Sequence, residues 1–156
     1  MRVGIGYDVH PLVAGRPLVL GGVLIPHPSG PDGHSDADVL THAVIDALLG
    51  AAGLGDIGRM FPASDARFKD ASSLEMLSTA VKVVGDAGFR VANVDCTVIA
   101  QEPRLESHLP AMCSHLAERL GTHDVNVKAK SPEGLGALGR GGGIAAQAVA
   151  TIEELD

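Results

Sequence analysis

Apolar positions recur along this chain with two different periods, and the change from one to the other outlines its elements. From Arg2 to His10, Val3, Ile5, Tyr7 and Val9 alternate with Gly4, Gly6, Asp8 and His10. That is the two-residue period of a strand, which Pro11 is expected to end. Leu18 to Ile25 predicts a short hairpin turning at Gly21-Gly22, followed by a polar loop from Pro26 to Ser35. From about Asp38 to Ala52 the period lengthens. Val39, Leu40, Ala43, Val44, Ala47, Leu48 and Ala51 form one continuous helical stripe, with Ser35 or Asp36 as the N-cap. A second helix fits Ser72 to Ala87, closed by Gly88, and a strand fits Arg90 to Ala100. Leu109 to Leu120 reads as a third helix ending at Gly121, and Val125 to Ala129 as a short strand. Gly143 to Leu155 reads two ways: its alanines favour a helix, yet Ile144, Ala146, Ala148, Ala150 and Ile152 alternate as in a strand. Local propensity leans to the helix. Strands interleaved with helices predict an α/β or α+β sandwich, with no repeat or linker dividing residues 1–156.

Composition narrows the functional classes. With 156 residues, 46% hydrophobic and 20% charged, the chain is long enough for one well-formed core. A formal net charge of -7 argues against a nucleic-acid partner, which selects a basic face, but leaves room for an anionic small molecule held by local cations. No apolar run approaches the roughly 20 residues of a membrane span. Two cysteines and no signal-peptide pattern point to a reducing cytoplasm. One Tyr, three Phe and no Trp predict an aliphatic core and no aromatic-lined pocket for bases or sugars.

Candidate chemistry gathers at the end of the first strand. Asp8 and His10, two residues apart, project to the same side, so a carboxylate and an imidazole can converge there. Three protein ligands and an open position make a catalytic zinc site, and His42, at the margin of the helical stripe, is the best candidate for the third. Asp46, one turn on, is placed to support a ligand from behind. Taken alone, an Asp-x-His pair is equally a strand-end polar pair, and His42 a satisfied helix-edge histidine. Gly33 to Asp38 runs into the helix N-terminus, where free N–H groups beside His34 and Ser35 suit a phosphate or merely a cap. Asp56 lies among the glycines of residues 53–58, with Ser64 and Asp65 following. After the strand at 125–129, Lys128, Ser131 and Glu133, with Arg140 near, could hold a phosphate and a hydrated magnesium. Neither stretch is a Walker A loop, and either could be a tight turn.

Taken in order, GIGYDVH (4–10), LGGVLIP (20–26), GHSDADVLTHAVIDALLGAAGLGDIGRMFP (33–62), NVDCTVIAQEPRL (93–105), VNVKAKSPEGLG (125–136) and GRGGGIAAQAVA (139–150) closely resemble the 2-C-methyl-D-erythritol 2,4-cyclodiphosphate synthases over nearly the whole chain. The chain is too short for the fused form that also carries a cytidylyltransferase domain. The resemblance implies a lyase of the non-mevalonate route to isoprenoids. Its substrate, 4-diphosphocytidyl-2-C-methyl-D-erythritol 2-phosphate, cyclises with release of CMP, the 2-phosphate attacking the β-phosphorus. It implies zinc on Asp8, His10 and His42, one per subunit, and magnesium or manganese on the diphosphate beside Glu133. By the same resemblance His34 and Ser131 stabilise the transition state. Ser35, Asp56, Ile57, Gly58, Phe61, Pro62, Ser64 and Asp65 bind substrate. So do Ala100, Gln101, Glu102, Pro103, Arg104, Leu105, Glu106, Lys130, Pro132 and Arg140, those of 100–106 and 130–131 facing the cytidine and its phosphate. The resemblance further implies a homotrimer with active sites between subunits. Each subunit would be an α/β sandwich of a four-stranded mixed sheet with helices on one face, a small hairpin, and a strand at the C-terminus, against the helical lean.

The chain departs from the family pattern at three places. Ala63 stands where an aspartate usually follows Phe-Pro, leaving Ser64 or Asp65 to compensate. Arg104 replaces a lysine, which keeps the charge but changes its geometry. Ala137 stands where an aromatic is often found near the trimer axis, where in some members an isoprenoid diphosphate meets the residue matching Arg140. Two other readings share the metal cluster: a zinc phosphohydrolase that activates water, and a metal-loaded trimeric nucleotide-binding module.

Overall fold

A computed structural model describes residues 1–155. In chain order its elements are β1 (Arg2–Ala14), β2 (Leu18–Leu20), β3 (Val23–Ile25), β4 (Ser29–Pro31), α1 (Val39–Ala52), α2 (Ile57–Met60), α3 (Ser73–Asp86), β5 (Phe89–Ile99), α4 (Leu109–Leu120), β6 (Val125–Lys130), α5 (Gly136–Gly139) and β7 (Gly143–Glu154). The main sheet has five strands in the order β4-β1-β7-β5-β6, and β2 pairs with β3 apart from it. Only β5 and β6 run parallel; the other neighbours are antiparallel.

The fifth strand corrects the expected four, and the reason lies at Pro11. Opposite Gly143, Pro11 is the last β1 residue paired with β7. The chain does not stop there, because Leu12, Val13 and Ala14 pair with Pro31, Gly30 and Ser29. The Pro11 carbonyl still accepts from Asp32 N at 2.9 Å. Pro11 therefore ends one ladder and lets the strand pass to another.

β7 settles the ambiguous C-terminal segment as a strand. It lies between β1 and β5, bonded on both sides, and such pairing outweighs alanine's helix preference. Its Ile144, Ala146, Ala148, Ala150 and Ile152 face the core.

The helices cover one face of the sheet. α1 packs on β1 and β7, with α3 against its other side and α4 beyond α3. Buried nearly all round, α1 is the centre of the molecule, and full burial of each of Leu40, Leu48 and Leu49 contributes roughly 2 kcal/mol. Its N-cap is Asp38, accepting from Thr41 N, and neither Ser35 nor Asp36. The Asp38 carboxylate also accepts from Gly21 N and Gly22 N at 2.9 Å. One buried side chain thus caps the helix and clasps the predicted β2–β3 turn, where both glycines have positive φ.

β1 is inverted relative to an ordinary amphipathic strand. Its glycine side faces α1: a Cβ on Gly4 would lie 1.9 Å from the Ala47 carbonyl oxygen, and one on Gly6 1.8 Å from that of Ala43. Only glycine lets helix and strand backbones approach so closely. Val3, Ile5 and Tyr7 consequently stand on the open face of the sheet, with Ile5 73% exposed. Asp8 and His10 share the parity of Gly4 and Gly6, so the same strand presents them to the first turn of α1.

Candidate functional site

That placement brings the three predicted ligands together. Asp8, His10 and His42 offer ligand atoms that all lie within 4.8 Å of one another. The Asp8 Oδ2 is 3.0 Å from His10 Nε2 and 3.0 Å from His42 Nδ1. The second nitrogen of each ring is also engaged. His10 Nδ1 donates to the Asp32 carbonyl at 2.7 Å, and His42 Nε2 meets the Ser73 hydroxyl at 2.8 Å and that of Ser35 at 3.1 Å. Two imidazoles and a carboxylate, with both outer nitrogens tied to supporting groups, fit a divalent cation of the kind imidazole prefers.

The charges here are coupled. Burial would raise the Asp8 carboxyl, but hydrogen bonds from His10 and His42 and the charge of their rings outweigh it and hold it at about 2. His10 is correspondingly raised, chiefly by its bond to Asp8 and against desolvation.

A cleft of about 240 Å³ opens over these ligands, lined also by His34, Ser35, Ile57, Gly58 and Phe61. His34 Nε2 donates to the Asp65 carbonyl at 3.0 Å, which fixes its ring. Phe68 and Met76 complete the wall together with Ala63. Phe61 and Phe68 meet edge to face, 5.1 Å between centroids. Two of the three phenylalanines thus gather at this cleft from segments that composition alone cannot bring together.

Asp46 is occupied differently from its expected role behind a ligand. Its carboxylate, pushed up by burial, accepts from Ile57 N at 2.8 Å and so pins the start of α2 beside the cleft. Asp56 caps that short helix through Arg59 N. The Asp65 carboxylate is held by Arg67 in a two-pronged contact, Nη2 to Oδ2 at 2.6 Å. Those bonds bring its carboxyl down to about 2. Of the two residues expected to compensate for Ala63, Asp65 already has a partner.

The remaining predicted residues lie elsewhere. Ala100, Gln101, Pro103, Arg104, Leu105, Glu106, Lys130 and Ser131 line a second cleft of about 470 Å³, built where the parallel strands β5 and β6 end side by side. Ala100 N bonds the Lys130 carbonyl at 3.1 Å, and Gln101 Oε1 accepts from Gly134 N at 2.9 Å. Ser131 Oγ accepts from Glu133 N at 3.0 Å, leaving its own hydrogen free to donate; Glu133 is exposed beside it. Arg140 borders a third hollow, of about 280 Å³, with Gln101 and Glu102. The first two clefts share no lining residue, so the structure separates Ser35, Ile57, Gly58 and Phe61 from the predicted contacts of residues 100–106 and 130–131.

Residues that sequence reasoning passed over also stand behind the site. Ser73, the first residue of α3, bonds His42, and Asp36 reaches back to Ser73. The only sequence signal was that each sits near a helix start, which reads as capping.

Comparison with known proteins gives a consistent picture. The sequence model of the YgbB family matches residues 1–153. A protein of Laribacter hongkongensis named 2-C-methyl-D-erythritol 2,4-cyclodiphosphate synthase is 61% identical over 155 residues, covering 98% of this chain and 96% of its own. Among solved structures, the bifunctional IspDF of Campylobacter jejuni superposes with a TM-score of 0.95 at 43% identity. The match covers 99% of this chain and 42% of that longer one. An IspF of Plasmodium falciparum in complex with CDP superposes at 0.86 with 30% identity, over 99% of this chain and 97% of its own. No described helix is long and apolar enough to cross a membrane.

Proposed function

We infer the reaction from one premise: the chain belongs to the YgbB family. It acts as a 2-C-methyl-D-erythritol 2,4-cyclodiphosphate synthase in isoprenoid biosynthesis. The observation that carries this reading is the Asp8-His10-His42 cluster under a cleft bordered by His34 and Ser35. The 2-phosphate oxygen of 4-diphosphocytidyl-2-C-methyl-D-erythritol 2-phosphate bonds to the β-phosphorus. The β-phosphorus to bridging-oxygen bond breaks, CMP leaves with that oxygen, and the cyclic 2,4-diphosphate remains. No water enters, so the enzyme is a cyclising phosphorus–oxygen lyase that needs no nucleophile of its own.

Catalysis is then positioning and charge stabilisation. Asp8, His10 and His42 would hold one zinc per subunit, and Glu133 would approach a magnesium or manganese accompanying the substrate diphosphate; these cations would supply positive charge that polarises phosphate oxygens. His34 and Ser131 donate hydrogen bonds to phosphate oxygens as charge shifts between them. Ser35, Asp56, Ile57, Gly58, Phe61, Pro62, Ser64 and Asp65 surround the erythritol phosphate end. Residues Ala100 to Glu106, with Lys130 and Pro132, take the cytidine and its phosphate, and the CDP complex of the Plasmodium relative supports that class of ligand. Arg140 adds a cation at the edge.

The separation of the two clefts supports a homotrimer in which each active site joins the metal cleft of one subunit to the cytidine cleft of its neighbour. The apolar open face of β1 supports the same assembly. Residues 1–156 act as one synthase domain. We place it in the cytoplasm, with free thiols at Cys96 and Cys113 and neither nucleic acid nor membrane as partner.

Phosphorus NMR tests the reading. The protein, magnesium and substrate should yield CMP and a cyclic diphosphate, and thorough chelation should abolish the signal. A linear monophosphate would indicate hydrolysis, no turnover a binding module, and activity surviving chelation would refute the metal role.

A further inference from the structure

Behind His42 lies a hydrogen-bond chain that the reaction as described does not use. The Asp36 carboxylate receives three donors: Asp38 N at 3.2 Å, Ser73 N at 3.1 Å and the Ser73 hydroxyl. A carboxylate only accepts, so the single hydroxyl hydrogen of Ser73 is directed to Asp36. The Ser73 oxygen is then left to face His42 Nε2, 2.8 Å away, with a lone pair. That oxygen calls for an N–H on Nε2, so a cation that displaces the proton Nδ1 shares with Asp8 meets a neutral ring with its lone pair on Nδ1. Nδ1 is the atom that points at the Asp8 carboxylate. Ser73 is fully buried, so water offers its hydroxyl no alternative partner.

We propose that Ser73 and Asp36 are positioning residues that commit His42 to bind the metal through Nδ1, by turning the Ser73 hydrogen away to Asp36 and offering Nε2 an acceptor. This rests on the reading of Asp8, His10 and His42 as a metal centre. The relay also ties one ligand to three parts of the fold, since Asp36 lies in the loop before α1, His42 on α1 and Ser73 at the start of α3. The tie is needed because of Ser35. Its hydroxyl lies 3.1 Å from the same Nε2 and accepts from Ala37 N, so its own hydrogen is free to turn toward Nε2. Were Ser35 to donate there, the ring proton would sit on Nδ1, where the metal must bind. With Ser73 holding Nε2–H, the Ser35 hydrogen stays available to a phosphate in the cleft.

Two substitutions separate this relay from general support. Ser73→Ala removes the acceptor and leaves Ser35 to donate to Nε2. Asp36→Asn retains one oxygen for three donors, and an amide turned toward Ser73 drives the serine hydrogen onto Nε2. The full-length chain, labelled with 15N-histidine, is compared as wild type and as both variants, first freed of metal and then titrated with zinc against a chromophoric chelator. In the wild type, His42 Nε2 should show the nitrogen shift of a protonated ring nitrogen. In both variants it should move toward the unprotonated value, while the His10 signals, anchored by Asp32, stay in place. Zinc dissociation constants should rise ten- to a hundredfold. If Ser73→Ala does not fold, Asp36→Asn carries the comparison. Equal Nε2 protonation in wild type and variant, or unchanged zinc affinity in a folded variant, overturns the relay. A wild-type chain that binds no zinc overturns the metal centre instead, and the protonation comparison still judges the relay.

Discussion

At His34 and Ser131 single hydrogen-bond donors carry the proposed chemistry. His34 is oriented by the Asp65 carbonyl, and the Ser131 hydroxyl is held within its own turn by Glu133 N. Losing one preorganised donor costs on the order of a hundredfold in rate. His34→Ala and Ser131→Ala should each lower turnover by about that factor and leave thermal unfolding unchanged, as a coupled assay for CMP beside calorimetry would show. Acidity should matter at the ligands. Asp8, lowered to about 2 from 3.8, contributes stability above about pH 4 that is lost as pH falls toward 2. His10, raised above 6.5, contributes stability that is complete below 6.5 and lost as pH rises through its raised value. A cation must displace the proton of His10 Nε2. Zinc affinity should therefore climb as pH rises through that second interval, measured by chelator competition from pH 5.5 upward; a flat profile would contradict the Asp8–His10 pairing.

Two elements depend on buried backbone contacts more than on side-chain burial. Asp38 sits at the head of α1 with four donors on one carboxylate: Gly21 N, Gly22 N, Thr41 N and Thr41 Oγ1. Burial pushes its carboxyl up, and those donors offset part of that cost. Asp38→Ala strands all four and should destabilise the chain by roughly 3 kcal/mol, read as a lower urea midpoint at fixed protein concentration. In β1, Gly6→Ala would drive a methyl into the Ala43 carbonyl and push α1 off the sheet. We expect a loss of about 3 kcal/mol or more, with weakened zinc binding, because His42 rides on the displaced turn.

For the whole molecule, the open face of the sheet is the feature that one subunit leaves unresolved. Ile5 faces Val149 across the β1–β7 ladder and Val3 faces Thr151, and Val3, Ile5 and Val149 are 64%, 73% and 41% exposed. An antiparallel sheet in contact with water carries polar side chains on that face, and an apolar one marks a covered surface. Ile5→Glu should convert the proposed trimer into monomers of unchanged fold, as sedimentation would show. Turnover should fall with assembly, since the metal and cytidine clefts would no longer meet. A monomeric variant of full activity would refute the shared site.

Much of this was legible in the chain itself. The helical stripe of α1, the Gly21-Gly22 hairpin, α4 with its Gly121 stop, and the candidacy of Asp8, His10 and His42 follow from local periods and residue chemistry, which act over a few neighbouring residues. Other features arise between distant segments. Ladder pairing on both sides made a strand of the alanine-rich 143–154 segment, and Pro11 passed β1 to a fifth strand instead of ending it. Asp36 turned from an expected cap of α1 to a partner of Ser73, Asp46 to the start of α2, and Asp65 to Arg67. Those outcomes depend on which groups are left without partners once helices and sheet are packed, and no local pattern records that. Residue types and spacing set which side chains could bind a metal; the close approach of the β1 and α1 backbones decided that they meet.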